Sequence, residues 1–155
     1  MKWSKIKQRL ESRFAPEIGK RVRIHATRYH RASDDEGEMF VSLDGAKIYG
    51  AAYYMYLKES VSLQAKVGNE HADPRSRQLN IDQQLAAQGI APDWLLTGAA
   101  FESLNQSIDD MLASIHPLIR GLAVLDARCG KRRLLKIDTT AEHPFVARLH
   151  ALRLA

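Results

Sequence analysis

Two runs of strict alternation, residues 21–29 (RVRIHATRY) and 38–43 (EMFVSL), confine the first third of this chain to an antiparallel sheet. Successive side chains on a strand point to opposite faces. Val22, Ile24 and Ala26 therefore share one face, and Arg21, Arg23, His25 and Thr27 share the other. In the second run Met39, Val41 and Leu43 oppose Glu38, Phe40 and Ser42. Asp44-Gly45 follows at once, a strong hairpin signal, and residues 46–49 form a short third strand. Residues 32–37, ASDDEG, form the polar turn between the first two strands. A three-stranded meander with one apolar face needs a covering layer. Residues 3–14 supply it: Trp3, Ile6, Leu10 and Phe14 recur at helical spacing, Ser4 is the expected cap, and Pro16 and Gly19 end the helix.

Beyond the sheet the patterning is helical. Residues 50–67 mix alanines with a tyrosine cluster and are expected to form a helix from about Ala51. Residues 68–78 are polar and read as a loop, a weak boundary between a sheet portion (about 1–67) and a helical portion (about 79–155) of one domain spanning 1–155. Asn80 is the expected cap of a helix through Gln88 that ends at Gly89. Pro92 opens a piece containing Trp94, Leu95 and Leu96, and Ser107 with Asp110 resembles a capping arrangement for a short helix ending near Ser114. The expected fold is α+β: an N-terminal helix packed on a three-stranded antiparallel meander, followed by an all-helical C-terminal half.

Two helices in that half begin with His-Pro. HPLIRGLAVLDARCGKRRLLKI starts at His116 and HPFVARLHALR at His143, with Leu118, Ile119, Leu122 and Leu125 matching Phe145, Val146, Leu149 and Leu152. The pattern resembles the second helix of a HEAT-type repeat, but only two copies are present, 27 residues apart, where that class repeats at about 40–47 and stacks three or more units. Proline at the first helical position and a shared core stripe explain the likeness, with His116 and His143 as boundary residues. Gly130 suits the position just past the first helix. Lys131, Arg132, Arg133 and Lys136 would then offset the negative end of its dipole, while Arg120 and Arg128, on one helix face, extend the basic surface. Such a cluster also grips phosphate or carboxylate.

The net charge of +5 is unevenly spread. Residues 1–31 carry 10 Lys/Arg against 2 Asp/Glu, and residues 111–155 carry 8 against 3; the middle is acidic. That layout fits an acidic protein or nucleic acid as partner. The single cysteine, Cys129, excludes a disulfide framework and a cysteine-based zinc site and fits a reducing, cytoplasmic setting. No run approaches the roughly 18 apolar residues of a membrane span. His71 and Asp73 lack an identifiable third metal ligand, and Asp34, Asp35 and Glu36 lack calcium-loop spacing, so no metal and no cofactor is expected. His25 is the one candidate catalytic residue, as an acid/base on a phosphodiester, although no nucleophile–base–orienter set accompanies it.

The segments MKWSKIKQRLESRFAP, RVRIHATRYHRASDDEGEMFVSLDG, HPLIRGLAVLDARCGKRRL and HPFVARLHALR together resemble a family of small uncharacterised bacterial proteins with no assigned activity. The resemblance implies a bacterial cytoplasmic origin and a compact single domain, and it carries over no functional residue. The expected function is a non-enzymatic interaction module meeting an acidic partner, such as the toxin of an immunity-type pair. The expected binding residues are Arg120, Arg128, Lys131, Arg132, Arg133 and Lys136. Nucleic-acid binding and phosphodiester hydrolysis through His25 are the alternatives.

Overall fold

A computed structural model describes residues 1–28, 37–67 and 73–155. Helix α1 (Trp3–Glu11) and a single turn, α2 (Pro16–Gly19), lead into strands β1 (Val22–Arg28), β2 (Gly37–Leu43) and β3 (Ala46–Ala52). Helices α3 (Tyr53–Val67), α4 (Pro74–Ala87), α5 (Asp93–Ser103), α6 (Ile108–Leu112), α7 (Pro117–Leu125), α8 (Lys131–Leu134) and α9 (Pro144–Leu154) complete the α+β architecture expected from the sequence.

The sheet order is β1-β2-β3, antiparallel throughout, with Ile24 opposite Val41 and Val41 opposite Tyr49. The alternation places Val22, Ile24, Met39, Val41 and Leu43 in the core. Asp44 and Gly45 both take positive φ, 50° and 84°, the conformation a tight hairpin requires. Helix α5 packs on β2 and β3, and α1 lies along β1. Glu11 Oε1 accepts the Ile24 N–H at 2.9 Å, so a carboxylate of α1 occupies a donor on the edge strand that would otherwise template pairing with another chain. One apolar cluster takes in Ile6 and Leu10 of α1, the inner face of the sheet, Leu96 and Ala100 of α5, most of α7, and Phe145, Val146 and Leu149 of α9.

Several element boundaries differ from the sequence-based expectation. The chain stays extended through Ala52 and α3 starts at Tyr53, two residues past the expected helix start, because residues 50–52 pair with Phe40, Met39 and Glu38; ladder hydrogen bonds override the helical preference of the alanines. Residues 73–78 are not loop. Asp73 caps α4 by accepting N–H bonds from Arg75 and Ser76, and Pro74 takes the first helical position. Asn80 is inside α4, where its side-chain carbonyl accepts from Gln84. Gly89 does follow the helix in the left-handed conformation, φ 77°. Ser4 lies within α1, whose N-cap is Lys2, and Pro16 and Gly19 bound a helical turn of their own. Ser107 caps α6 through Asp110 N–H, as expected. His30, His71 and residues 32–36 lie outside the described residues.

The two His-Pro helices pack against each other. Leu118, Ile119, Leu122 and Leu125 meet the layer of Phe145, Val146 and Leu149, all buried. Gly121 permits the approach: a Cβ there would collide with the Phe145 ring. At the start of α9, His143 Nδ1 accepts the Phe145 N–H and Nε2 lies 3.1 Å from the Gln88 carbonyl, so the ring joins α9 to the end of α4. Tyr49 reaches the same junction, donating to Gly89 O at 3.0 Å; burial holds its phenol well above its usual range.

Candidate functional site

The basic cluster is positioned by the way α7 ends. The helix stops at Leu125, not near Gly130, because the next residue is extended and bridges to Phe14. Ala15 N–H donates to Leu125 O and Ala127 N–H donates to Arg13 O, both at 2.8 Å. The chain then turns, and Gly130 caps the start of α8. The expectation that Lys131, Arg132 and Arg133 follow the C-terminus of a long helix and neutralise its dipole is therefore corrected. These residues form a one-turn helix of their own, and the carbonyls at the end of α7 are met from elsewhere.

One of them, Val124 O, is met by Arg153, which sequence reasoning missed. Its guanidinium donates to Val124 O at 3.0 Å and Cys129 O at 2.7 Å and pairs with Glu17 of α2. Its side chain is only 7% exposed, and burial lowers its affinity for the proton. The only sequence signal was an arginine in the last turn of an amphipathic helix, which reads equally well as a solvated residue. Beside it, Cys129 is buried and its thiol is pushed up by that burial, against a weaker opposing pull from Arg133.

The six expected binding residues do not share one surface. Arg120 is a structural clamp: it donates to Ser114 O at 2.6 Å and pairs with Glu142 at 3.1 Å. Arg128 lies past the end of α7, not on a shared face with Arg120, and its guanidinium forks onto the buried Asp126 carboxylate at 2.7–3.1 Å. Lys131 faces a cavity of about 420 Å³ that it shares with Glu17 and Arg153. Only Arg132, Arg133 and Lys136 converge, lining a basin of about 410 Å³ with Gly130 and Asp109. Arg133 forks onto Asp109 at 3.0 and 3.3 Å, and that bond holds the Asp109 carboxyl below its usual range. Arg132 and Lys136 are exposed and form no ion pair among the described residues. Leu135, between them in sequence, is 65% exposed. The basin can thus take a carboxylate or phosphate; Leu135 is next to Lys136 in sequence but is not one of the residues that line it.

His25 belongs to a different surface. Its ring stacks on Phe40, opposite it in β2, with centroids 4.4 Å apart, and Nε2 lies 2.9 Å from the hydroxyl of Ser42. Lys47 lies over the other ring of the pair, Phe40, and pairs with Glu38. Burial, with Lys7 and Arg23, lowers the His25 pKa against the opposing pull of Glu11. These are contacts that order a sheet face, and neither of the two cavities above is lined by His25. Among the described residues no group of three or more His, Cys, Asp or Glu is placed to hold a metal ion, and no helix is long and apolar enough to cross a membrane.

No curated protein and no solved structure matches the chain. The model of the SF0329 protein family matches residues 2–154, and the chain belongs to that family.

Proposed function

We propose that this chain is a bacterial, cytoplasmic, single-domain interaction module, not an enzyme, whose basin of Arg132, Arg133 and Lys136 receives an acidic segment of a partner protein. The observation that carries the reading is Leu135, exposed within a turn of cations of which Arg132 and Lys136 are unpaired among the described residues. An acidic peptide with an apolar residue uses both the charge and the leucine. A phosphate backbone uses the charge alone. Arg120 and Arg128, spent on Glu142 and Asp126, contribute to the shape of the region and not to the docking surface. Phosphodiester hydrolysis through His25 has less support, since the contacts of that ring with Phe40 and Ser42 are those of sheet packing.

Fluorescence anisotropy with a labelled Glu/Leu-rich peptide, duplex DNA and single-stranded RNA tests this. Arg132→Glu and Lys136→Glu should each weaken peptide binding about tenfold or more, by replacing attraction with like-charge repulsion. Leu135→Ser should weaken the peptide and leave residual nucleic-acid binding unchanged. Tight nucleic-acid binding with a steep salt slope and no Leu135 effect would replace the proposal with the nucleic-acid reading. Absence of binding to all three probes would remove the basin as a docking surface.

A further inference from the structure

The Arg133–Asp109 pair is exposed on both sides and forms part of the basin wall. The Arg133 side chain is 47% exposed and that of Asp109 72%, whereas Asp126 and Glu142, the partners of Arg128 and Arg120, are 5% and 18% exposed. Asp109, in the first turn of α6, lies on one edge of the guanidinium, with Nε donating to Oδ1 at 3.0 Å and Nη2 to Oδ2 at 3.3 Å. Neither side chain makes another hydrogen bond among the described residues. The field of Lys136 reaches the same carboxylate and adds to the pull of Arg133. Two of the three basin cations thus act on one point, and a carboxylate of the chain itself stands there. Exposed ion pairs hold weakly, so this one exchanges at little cost. Its advantage over an anion from solution is the tether, which gives Asp109 a high effective concentration at Arg133.

Granted an acidic segment docked in the basin, on which this rests, we infer that Asp109 occupies the seat of one of the partner's carboxylates and that docking displaces it from Arg133. The incoming carboxylate takes the same two donors, Nε and Nη2, and Asp109 turns out to solvent. A carboxylate placed on the other edge of the guanidinium would instead stand beside Asp109 as a like charge. A lone carboxylate gains little by the exchange, since it replaces one ion pair with another. A segment with two or more carboxylates also gains Arg132 and Lys136, both exposed. Asp109 therefore sets a threshold: it keeps single small anions off Arg133 and admits a multivalent acidic segment.

The test is anisotropy with a labelled Glu/Leu-rich peptide, its C-terminus amidated so that only side-chain carboxylates are offered, and with duplex DNA. Asp109→Asn should tighten peptide binding about fivefold, the upper end of what an exposed ion pair is worth. Asp110→Asn is the control. It makes the same change of charge one residue away, on a carboxylate that accepts from Ser107 and does not line the basin, and should alter affinity by less than about twofold. Arg133→Gln should weaken the peptide, and in that background Asp109→Asn should no longer tighten it, because Asp109 competes through Arg133. Equal gains from Asp109→Asn and Asp110→Asn, or a gain that persists in Arg133→Gln, mean a change of field alone and overturn the displacement. A gain for DNA as large as that for the peptide overturns the carboxylate as the ligand. If the wild-type protein binds the peptide and Asp109→Asn binds it no tighter, the displacement falls and the docking reading stands; if neither binds, both fall.

Discussion

Helices α7 and α9 and helices α3 and α4 are both packed pairs, and they are held by opposite means. In α7, eight of nine residues are buried, and the pair closes where the Phe145 ring fills the space that Gly121 leaves. The α3–α4 pair is joined by polar groups. Tyr56 donates its hydroxyl to Asp82 at 2.7 Å, Gln78 donates to the same carboxylate oxygen at 2.9 Å, and Gln64 donates to Gln78 at 3.1 Å. The apolar residues of α3 face outward instead, with Tyr54 68% and Val61 59% exposed. Ile81 and Leu85 of α4 are buried but stand outside the main apolar cluster. Apolar content thus does not decide burial. At α7–α9 the Phe145 ring uses the space that Gly121 leaves, and neither α3 nor α4 contains a glycine. Local stability follows from that difference, since segments with few buried apolar contacts open below the global transition.

The comparison can be broken most directly at Leu149, which is fully buried between the two His-Pro helices. Leu149→Ala should cost about 2–5 kcal/mol in urea unfolding, whereas Val61→Ala on α3 should change stability by less than about 0.5 kcal/mol. Equal effects would show that the two pairs contribute alike. A smaller effect, about 1 kcal/mol, is expected for Tyr56→Phe, which removes the donor to Asp82. Its sharper signature is in native-state hydrogen exchange: amides of α3 and α4 should lose protection while those of α7 and α9 keep theirs. Uniform loss would mean that the two pairs unfold as one unit.

The mildest expected effect is pH-dependent. His116, at the start of α7, and His25, on the sheet, both have pKa values lowered by burial from the ordinary 6.5. The folded protein therefore binds fewer protons than the unfolded chain as pH falls from just above 6.5 toward the folded-state values, and stability falls across that window. Tm should drop on acidification, and the drop should flatten in His25→Gln/His116→Gln. Helices α3 and α4 contain no histidine. Their exchange relative to α7 and α9 should narrow toward acid pH as the stronger pair weakens.

Much of the fold is legible in the residues themselves. The alternation at 22–26 and 39–43 and the Asp44-Gly45 turn specify the meander, and the proline starts at Pro117 and Pro144 specify the first turns of α7 and α9. What the sequence does not reveal depends on partners far away in the chain. Gly130 fits the end of one helix or the start of the next, and the choice is made by the pairing of Phe14 with Asp126. Arg120, Arg128 and Arg133 read as one basic surface until Glu142, Asp126 and Asp109 claim them individually. The candidate basin was legible as a cluster of charge, but the exposure of Leu135 was not, because an apolar residue in a short helix gives no sign of which way it faces.

The position of Arg153 has a consequence for synthesis. This guanidinium ties the end of α7, the Cys129 turn and Glu17 near the opposite end of the chain into one knot. During translation the sheet and most helices leave the ribosome before residue 153 does. The Val124 carbonyl must therefore stay open to water until α9 emerges, whereas Leu125 O can already be met by Ala15 N–H.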